Sequence, residues 1–380
     1  MKKSHQQKTV IIGLSGGVDS AVSALLLKQQ GYHVIGIYML NWDKEINGDI
    51  LGSKTDTELG CSSIKDYQDA LAVAKQLGIE LIKVNFVKEY WNLVFQRVLN
   101  EYTKALTPNP DILCNQYIKF GVLLNYIQKH YPCAYFATGH YAKLIKRKNQ
   151  NYLKIPKDEH KDQTYFLCNL TNAQLDRVIF PLANLLKLQV REIALQHHLV
   201  VANKKDSTGI CFIGERKFKL FLQNYLKQNT GNIILVPDHK VIGKHEGLPF
   251  YTIGQRQGLN VGGTKERIFV VDKKIKTNEL LVAYESNKDQ YLASNLVNLT
   301  NFIWIKPMTL TNNETKKFYV RFRHGQKLIA CYIKKITSKT VQLYYPQTAQ
   351  AVTPGQYAAL YDASKTCLGG GKIKSSKLLK

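Results

Sequence analysis

The chain has 380 residues, and 53 Lys and Arg against 28 Asp and Glu give it a formal net charge of +25 at pH 7. This length suits two or three domains, and a hydrophobic content of 44% without a long apolar run excludes a membrane-spanning class. The charge favours a polyanionic partner, above all nucleic acid, the alternative being a compositional preference for Lys and Asn. No targeting segment is recognisable ahead of the first predicted strand, so we expect a cytoplasmic protein.

The N-terminal part alternates predicted strands and helices. Its β-branched and apolar runs predict strands over 9–12, 34–39, 81–84 and 134–138, and its helical periodicities predict helices from 21 to about 31, over 65–77 and over 89–102. This alternation predicts an α/β fold with a doubly wound parallel sheet, whose ligands collect at the carboxyl ends of the strands. The polar stretch 41–60 favours a mobile loop.

The pattern changes after residue 213. A Lys-, Gln- and Asn-rich helix is predicted over 216–228, and short β-type runs follow over 318–322, 328–332 and 340–344. Their spacing predicts a small antiparallel sheet or β-barrel. The last ten residues carry four lysines, and we expect them to be frayed.

The turn between the first strand and the first helix predicts a phosphate site. It consists of Gly13, Leu14, Ser15, Gly16, Gly17, Val18, Asp19 and Ser20. A tight glycine-rich turn of this kind directs backbone N–H groups and a positive helix end at phosphate, while the two serines add hydroxyl donors. No Gly-Lys-Ser/Thr sequence follows, so this is not a Walker A loop. The alternative is an ordinary strand-to-helix turn.

A second candidate cluster surrounds Cys114. The prolines at 108 and 110 restrict Asn109 and Asp111, and Asn115 is a good N-cap for the helical pattern that follows. A thiol at a helix N-terminus has a lowered pKa, and a carboxylate three residues earlier can move protons near it. The alternative is a small structural core cysteine.

The other cysteines show no Cys-x-x-Cys spacing, which argues against a zinc ribbon or a disulfide framework. Cys211 follows a polar, glycine-containing turn, so it is a candidate partner thiol for Cys114. The remaining cysteines have no such context and are interpreted as bystanders. They are Cys61, Cys133, Cys168, Cys331 and Cys367.

The glycine-rich loop resembles the SGGxDS loop of the ATP-pyrophosphatase (PP-loop) superfamily, whose members cleave ATP between the α- and β-phosphates. Motifs along the whole chain resemble the tRNA-specific 2-thiouridylase family. They lie at 13–20, 107–115, 118–120, 137–142, 161–167, 206–218, 251–259, 353–356 and 367–371. The resemblance implies a PP-loop ATP-binding catalytic domain over 1–213, a central tRNA-contacting domain over 214–288 and a C-terminal β-barrel-like domain over 289–380.

The resemblance also implies a reaction. Family members adenylate the wobble uridine (U34) of certain tRNAs with ATP and Mg²⁺ and replace the oxygen on C2 by sulfur, releasing AMP and pyrophosphate. ATP would contact the loop together with Met39 and Gly139, and no dedicated metal site in the protein is predicted. Cys211 would carry sulfur as a persulfide, whose terminal sulfur would reach C2 directly or after release as sulfide. Cys114 would attack that persulfide and form a transient disulfide with Cys211, with Asp111 as acid/base.

Contacts with tRNA are implied for two sets of residues. The target base would lie against Asn109, Pro110 and Asp111. Further tRNA contacts would come from His140, Lys161, Asp162, Gln163, Arg323, His324 and Gln356. His324 stands where the family has Tyr, which keeps a planar ring but changes its hydrogen bonding.

The implied partners are the tRNAs for Lys, Glu and Gln and a cysteine desulfurase or sulfur-relay protein. The protein is expected to be a monomer and not to bind membranes.

Two other classes of protein are alternatives to this interpretation. A PP-loop ligase that adenylates a small metabolite would share the loop but would not need the charge or the two thiols. A non-catalytic RNA-binding protein would have no use for a phosphate loop. AMP and pyrophosphate formed only with tRNA present would favour the thiolation reaction.

Overall fold

The computed structural model describes residues 8–51, 62–148, 150–206, 209, 213, 218–306, 308, 312–313 and 315–379. In the N-terminal part the strands are β1 (Thr9–Gly13), β2 (His33–Leu40), β3 (Glu80–Asn85), β4 (Tyr135–Ala137), β5 (Lys143–Arg147), β6 (Gln150–Lys154) and β7 (Val178–Ile179). A parallel sheet in the order β3-β2-β1-β4-β7 confirms the predicted α/β fold. The strand order reverses at β1: β2 and β3 lie on one side of it, and β4 and β7 lie on the other.

Helices cover both faces of this sheet. They are α1 (Val18–Gln29), α2 (Ser62–Leu77), α3 (Val87–Tyr90), α4 (Gln96–Tyr102), α5 (Pro110–Cys114), α6 (Leu123–His130) and α7 (Lys187–Gln196). A π-helical segment joins α3 to α4, and another joins α5 to α6. Along β1, Val10 and Ile12 pack into one apolar cluster and Ile11 into the other, as expected for a strand buried on both faces.

The central part forms a small mixed sheet. Helix α8 (Phe218–Gln223) precedes strands β8 (Gly231–Leu235), β9 (Lys240–His245), β10 (Ile268–Lys274) and β11 (Glu279–Tyr284), paired in the order β10-β11-β8-β9. The described helix is shorter than the predicted one over 216–228, and residues 214–217 lie outside the described part.

The C-terminal part is a closed antiparallel barrel, which confirms the β-barrel prediction. After α9 (Asp289–Leu292), its strands are β12 (Ala293–Trp304), β13 (Phe318–Arg321), β14 (Ile329–Ile336), β15 (Thr340–Gln350), β16 (Tyr357–Tyr361) and β17 (Thr366–Lys377). The barrel runs β12-β15-β14-β13-β16-β17 and closes where β17 pairs with β12. Strand β6 of the N-terminal part also pairs with β17, so the two parts share a sheet.

One local expectation is wrong. The last residues are not frayed, because β17 extends to Lys377 and its Ile373 is buried in the barrel core. In the described part of the loop that was expected to be mobile, residues 41–51, some side chains are buried and others, such as Ile46 and Ile50, are exposed. Trp42 is 2% exposed, donates to Asp49 at 3.0 Å and contacts the ring of Phe221 from the central part. Residues 52–61 lie outside the described part.

Candidate active site

The predicted phosphate loop lies at the carboxyl end of β1, where the order of strands reverses. Gly17 is the N-cap of α1 in an extended conformation, and a glycine has no side chain to occupy the N–H groups of the first turn. Ser20 accepts from the N–H of Ser15 at 3.2 Å and donates to the carbonyl of Gly17 at 2.9 Å. These bonds hold the turn closed.

Two glycines are required for this shape. Gly16 has φ +73°, and a Cβ there would lie 2.3 Å from the carbonyl oxygen of Asp66. Gly139 follows β4, and a Cβ there would lie 2.9 Å from the nitrogen of Ser20. The loops after β1 and β4 therefore meet without side chains between them, as at the ligand crevice of a doubly wound sheet. Met39 is partly buried near the end of the neighbouring β2.

A lysine that the sequence analysis did not identify lies at this loop. The Nζ of Lys187, the first residue of α7, is 2.7 and 2.9 Å from the two carboxylate oxygens of Asp19 and 2.8 Å from Asp206. Its side chain is 13% exposed. Tyr141 donates to the same Asp19 carboxylate at 3.1 Å, and burial followed by this carboxylate raises the pKa of Tyr141.

Asp206 also forms ion pairs with two other basic side chains. Lys161 lies 3.0 Å and Arg191 2.6 Å from its carboxylate. Burial alone would raise the pKa of Asp206, but the hydrogen bonds from Lys187 and Lys161 hold it well below its usual value. Because Lys187 contacts both carboxylates, it joins the phosphate loop to the segment that leads towards Cys211.

A second lysine supports the loop from behind. Lys204 donates to the carbonyl of Gly16 at 3.0 Å and pairs with Asp66 at 2.8 Å and Asp69 at 2.5 Å. One sequence signal pointed to Lys187: Lys187 and Arg191 are four residues apart, on one face of a helix. No such signal marks Lys204.

The helix that carries Cys114 begins earlier than predicted. Its N-cap is Asn109, whose Oδ1 accepts from the N–H of Ile112 at 3.1 Å, whereas Asn115 is helical and continues the chain into the π-helical segment. Pro110 is the first helical residue, where its missing N–H costs nothing. Cys114 therefore lies beyond the first turn and is fully buried, so the expected helix-end effect on its thiol does not apply. Asp111 is in the first turn and partly buried.

The loop before this helix is held by the other two parts of the chain. Lys273 of β10 donates to the carbonyl of Ala105 at 2.8 Å. The N–H of Thr107 donates to Pro354 at 3.1 Å, and a Cβ at Gly355 would lie 2.8 Å from the Thr107 nitrogen. The position of Asn109 thus depends on contacts from both the central sheet and the barrel.

A cavity of about 320 Å³ opens beside Asn109 at this junction. Its lining comes from all three parts: Asn109, Tyr165, Phe166, Thr252, Arg323, His324, Thr353 and Gln356. The rings of Phe166 and His324 are stacked, with centroids 4.6 Å apart at 29°. Burial lowers the pKa of His324, so its ring is neutral at physiological pH. The cavity is therefore lined by stacked aromatic rings and by the side-chain amides of Asn109 and Gln356.

The segment 161–167 connects the cavity to the phosphate loop. Asp162 is 2% exposed and forms an ion pair with Arg321, and its carbonyl oxygen lies 3.0 Å from Nε2 of His324. Gln163 accepts from the N–H of Tyr141 at 2.9 Å. The side chains of Asp162 and Gln163 thus act within the protein in this structure, and their contacts with tRNA stay predictions.

The remaining predicted tRNA contacts differ in accessibility. His140 is 9% exposed, its Nδ1 lies 2.8 Å from the hydroxyl of Thr138, and burial followed by Lys119 lowers its pKa. Arg323 is exposed and donates to the carbonyl of Ala351 at 2.9 Å. Lys161 is also exposed, and Pro110 is partly buried.

Cys211 and Cys61 lie outside the described residues. Of the presumed bystanders, Cys133 is exposed, whereas Cys168, Cys331 and Cys367 are buried. Burial raises the pKa of all three buried thiols. Within the described ranges, no group of three His, Cys, Asp or Glu side chains could hold a metal ion, and no helix is long and apolar enough to cross a membrane.

The phosphate loop and several cavity residues lie in motifs that the sequence analysis singled out, but other residues of the two sites were missed. The missed residues are Lys187, Arg191, Lys204, Tyr141, Tyr165, Phe166, Thr252, Lys273 and Thr353. Of these, Tyr141, Tyr165, Phe166, Thr252 and Thr353 lie inside the quoted motifs but had no assigned role. Lys273 comes from β10 of the central sheet, whose packing no local pattern indicated.

Comparison with known proteins gives matches over the whole chain. Three domain families match in order: the tRNA methyl transferase HUP domain over 8–215, the tRNA methyl transferase PRC-barrel domain over 219–284 and the aminomethyltransferase beta-barrel domain over 294–373. A solved 4-thiouridine synthetase–RNA complex with bound ATP matches 55% of this chain and 45% of its own at 14% identity, with a TM-score of 0.33, which carries no conclusion about function.

Curated relatives match at about half identity. The tRNA-specific 2-thiouridylase MnmA of Ureaplasma parvum is 50% identical, over 98% of this chain and 96% of that relative. The tRNA-specific 2-thiouridylase MnmA of Mycoplasma pneumoniae is also 50% identical, over 98% of this chain and 100% of that relative. The trifunctional protein RibF/MnmA of Mycoplasmoides gallisepticum is 51% identical over 99% of this chain, which spans 57% of that longer relative. The chain belongs to the tRNA-specific 2-thiouridylase family.

Proposed function

We propose that the protein is an ATP-dependent tRNA sulfurtransferase that adenylates and then 2-thiolates the wobble uridine. The observation that carries this proposal is the connection of two sites by one segment. A phosphate-type loop and a base-sized cavity are joined through residues 161–167, and the helix that begins at the cavity contains Asp111 and Cys114. An ATP-dependent reaction on an extruded base needs both sites.

The phosphate loop supports the assignment of ATP as substrate. Residues 13–20 would hold the phosphates, with Met39 and Gly139 towards the adenosine. Gly17 as N-cap has no side chain over the N–H groups of the first turn, which suits an anionic ligand. Mg²⁺ would arrive with the nucleotide and balance its charge, with Asp19 as the neighbouring carboxylate.

The cavity supports a flipped base as its occupant. Its volume lies within the range of small-molecule sites, and stacked aromatic rings beside amide groups are the usual surroundings of an extruded base. We propose that Asn109, Pro110 and Asp111 bind the target base. His140, Lys161, Asp162, Gln163, Arg323, His324 and Gln356 would bind or organise the surrounding tRNA.

The sulfur chemistry is proposed for the two cysteines that the family resemblance selected. The C2 oxygen attacks the α-phosphate of ATP, and pyrophosphate leaves. The terminal sulfur of a Cys211 persulfide then forms a bond to C2, and AMP carries the oxygen away. The Cys114 thiolate attacks the inner sulfur, so that a Cys114–Cys211 disulfide replaces the persulfide bond. Asp111 moves the proton, and a thiol reductant restores the two thiols.

The partners follow from the same proposal. The charge of +25 suits tRNA, and we propose the acceptors for Lys, Glu and Gln. A cysteine desulfurase or relay protein would load Cys211. We propose that residues 1–213 perform the chemistry, 214–288 and 289–380 complete the tRNA site, and the enzyme acts as a cytoplasmic monomer.

The test is a thiolation assay on unmodified tRNA with ATP, Mg²⁺, cysteine and a cysteine desulfurase. Digested nucleosides are analysed by mass spectrometry for the wild type, C114S, C211S and the exposed control C133S. We expect 2-thiouridine from the wild type and C133S, and at least a hundredfold less from the other two. A methylated nucleoside instead of 2-thiouridine, or ATP cleavage that is indifferent to tRNA, would contradict the proposal.

A further inference from the structure

Residues 41–51 expose apolar side chains and bury polar ones. Ile46 is 71% and Ile50 is 78% exposed, whereas Asn47 is only 6% and Asp49 only 4% exposed. This is the reverse of the usual distribution, in which large aliphatic side chains are buried and polar ones face the solvent. Isoleucines that extend into solvent add nothing to the stability of the isolated chain, because only burial of their surface does so. Their exposure within one short segment is typical of a surface that a partner covers.

Hydrogen bonds hold the main chain of this segment in place. The Oδ1 of Asn47 accepts from the N–H of Asp43 at 3.0 Å, and the main-chain oxygen of Asn47 accepts from the hydroxyl of Tyr225 at 2.9 Å. Asn224 binds both main-chain groups of Leu51, the N–H at 3.0 Å and the carbonyl oxygen at 3.2 Å. The exposed isoleucines are therefore presented on a main chain that a partner does not have to order, which lowers the entropic cost of binding.

The charge of this region identifies the kind of partner. Residues 41–60 contain five Asp and Glu against two Lys, in a chain whose net charge is +25. Glu45 is exposed directly beside Ile46. Negative charge repels phosphate, so the region is unsuited to tRNA, and the net charge of the whole chain opposes association of two copies. An exposed apolar surface with acidic neighbours suits a different protein whose contact face is apolar with basic groups around it.

The segment lies against the helix that follows the proposed sulfur carrier. The rings of Phe221 in α8 and of Tyr225 just after it contact the ring of Trp42, with centroids 5.9 and 6.5 Å apart. Helix α8 begins seven residues after Cys211, and seven residues of chain span at most about 25 Å. Because a small domain has a diameter of about 30 Å, one protein can cover the segment and reach this thiol.

We propose that residues 41–51 are the docking surface for the cysteine desulfurase that loads Cys211, with Ile46 and Ile50 as its apolar contacts. This inference rests on the proposed function, in which a protein delivers sulfur to that thiol. The Cys211 thiolate attacks the outer sulfur of the persulfide on the desulfurase. A new S–S bond forms at Cys211, the S–S bond of the desulfurase persulfide breaks, and the desulfurase cysteine leaves as a thiolate, so no further oxidant is needed.

The experiment measures thiolation of unmodified tRNA at increasing concentrations of the cysteine desulfurase from the same organism, with ATP, Mg²⁺ and cysteine. It compares the wild type, I46D/I50D and I275D, and filter retention gives the affinity of each for tRNA. We expect the KM for the desulfurase to rise at least tenfold in I46D/I50D, while kcat and tRNA affinity stay within twofold, because only the burial of two isoleucines is lost. Ile275 is the matched control, since it is 59% exposed in the turn after β10, and I275D should keep the wild-type KM.

A second variant, I46S/I50S, removes the apolar surface without adding charge, so the proposal stays testable if the aspartates disturb the loop. Its KM for the desulfurase should also rise. A wild-type KM in the folded double variants, or an equal rise in I275D, would overturn the inference and leave the proposed function intact. A matching loss of tRNA affinity, or a wild-type dimer that I46D/I50D converts to a monomer, would overturn it by assigning the segment to RNA or to a second copy. Absence of 2-thiouridine from the wild type at every desulfurase concentration would overturn the proposed function as well.

Discussion

The ammonium group of Lys187 lies between two carboxylates that belong to different loops. Removing it leaves Asp19 and Asp206 facing each other at the entrance of an anion site. We expect K187M to weaken the binding of a non-hydrolysable ATP analogue by about tenfold or more, because an uncompensated carboxylate repels phosphate at short range. Isothermal titration calorimetry measures the change.

Two further variants distinguish the loss of the positive charge at position 187 from a general effect of replacing a lysine. K187R keeps the cation and should lose less affinity than K187M. K146M removes an exposed pair, between Lys146 and Asp176, whose side chains are 56% and 52% exposed, and should bind the nucleotide as the wild type does. Equal affinities in K187M and K146M would show that Lys187 has no part in the nucleotide site.

Asp19 and Lys187 differ in how far their place in the candidate site could be predicted from the sequence. Asp19 lies in a contiguous turn whose residue types are dictated by backbone geometry, so the loop was predictable. Lys187 reaches the same place from 168 positions away through tertiary packing. No periodicity encodes that contact.

At the scale of elements, strands β1 to β4 of the parallel sheet followed from β-branched and apolar runs, whereas the two-residue strand β7 and the start of α5 did not. The sequence analysis assigned the N-cap to Asn115, but the structure has it at Asn109, directly before a proline, a residue that is favoured at the first helical position. Two prolines and the contacts of the preceding loop select Asn109. The C-terminal strand shows a related limit. Its lysines suggest fraying, but β17 is paired on both sides and closes the barrel.

Strand β10 supplies a pH-dependent contact. Desolvation lowers the pKa of Lys273 to about 8, against 10.5 in an unfolded chain. Between these values the unfolded state binds more protons, so this lysine makes stability rise with pH from about 8 to 10.5. Below pH 8 the cost of the buried charge is fully present, with an upper bound of about 3 kcal/mol.

The measurement is denaturant unfolding of the wild type and K273M at pH 7.5 and 9.5. We expect the free energy of unfolding of the wild type to gain on that of K273M as the pH rises. K274M is the control, because Lys274 is exposed, pairs with Asp272 at 2.8 Å and has a pKa that this pairing raises. The same pH slope in the wild type and K273M would contradict the account.

At the scale of the whole molecule, the candidate site is completed by domains that are distant in sequence. The motifs at 251–259 and 353–356 indicated that the later domains matter, but not how. The structure shows Lys273, Gly355 and Gln356 around the loop 105–109, and these contacts determine where Asn109 lies. Relative placement of domains depends on complementary surfaces, which single-chain patterns do not specify.

Gly355 tests this dependence. Its φ is +96°, and a Cβ would lie 2.8 and 2.9 Å from the nitrogen and oxygen of Thr107, which are main-chain atoms that cannot rotate away. G355A should therefore lower the free energy of unfolding by about 1–3 kcal/mol and displace the loop 105–109. G263A is the control, since Gly263 also has a positive φ of +71° but nothing within 4 Å of its Cβ position. We expect G355A to reduce the rate of tRNA thiolation at least tenfold, while its affinity for an ATP analogue stays within twofold of the wild-type value. G263A should lose only the free energy of unfolding that its backbone conformation costs. If both variants thiolate tRNA equally well, the barrel does not position the loop, and the N-terminal domain builds the base site alone.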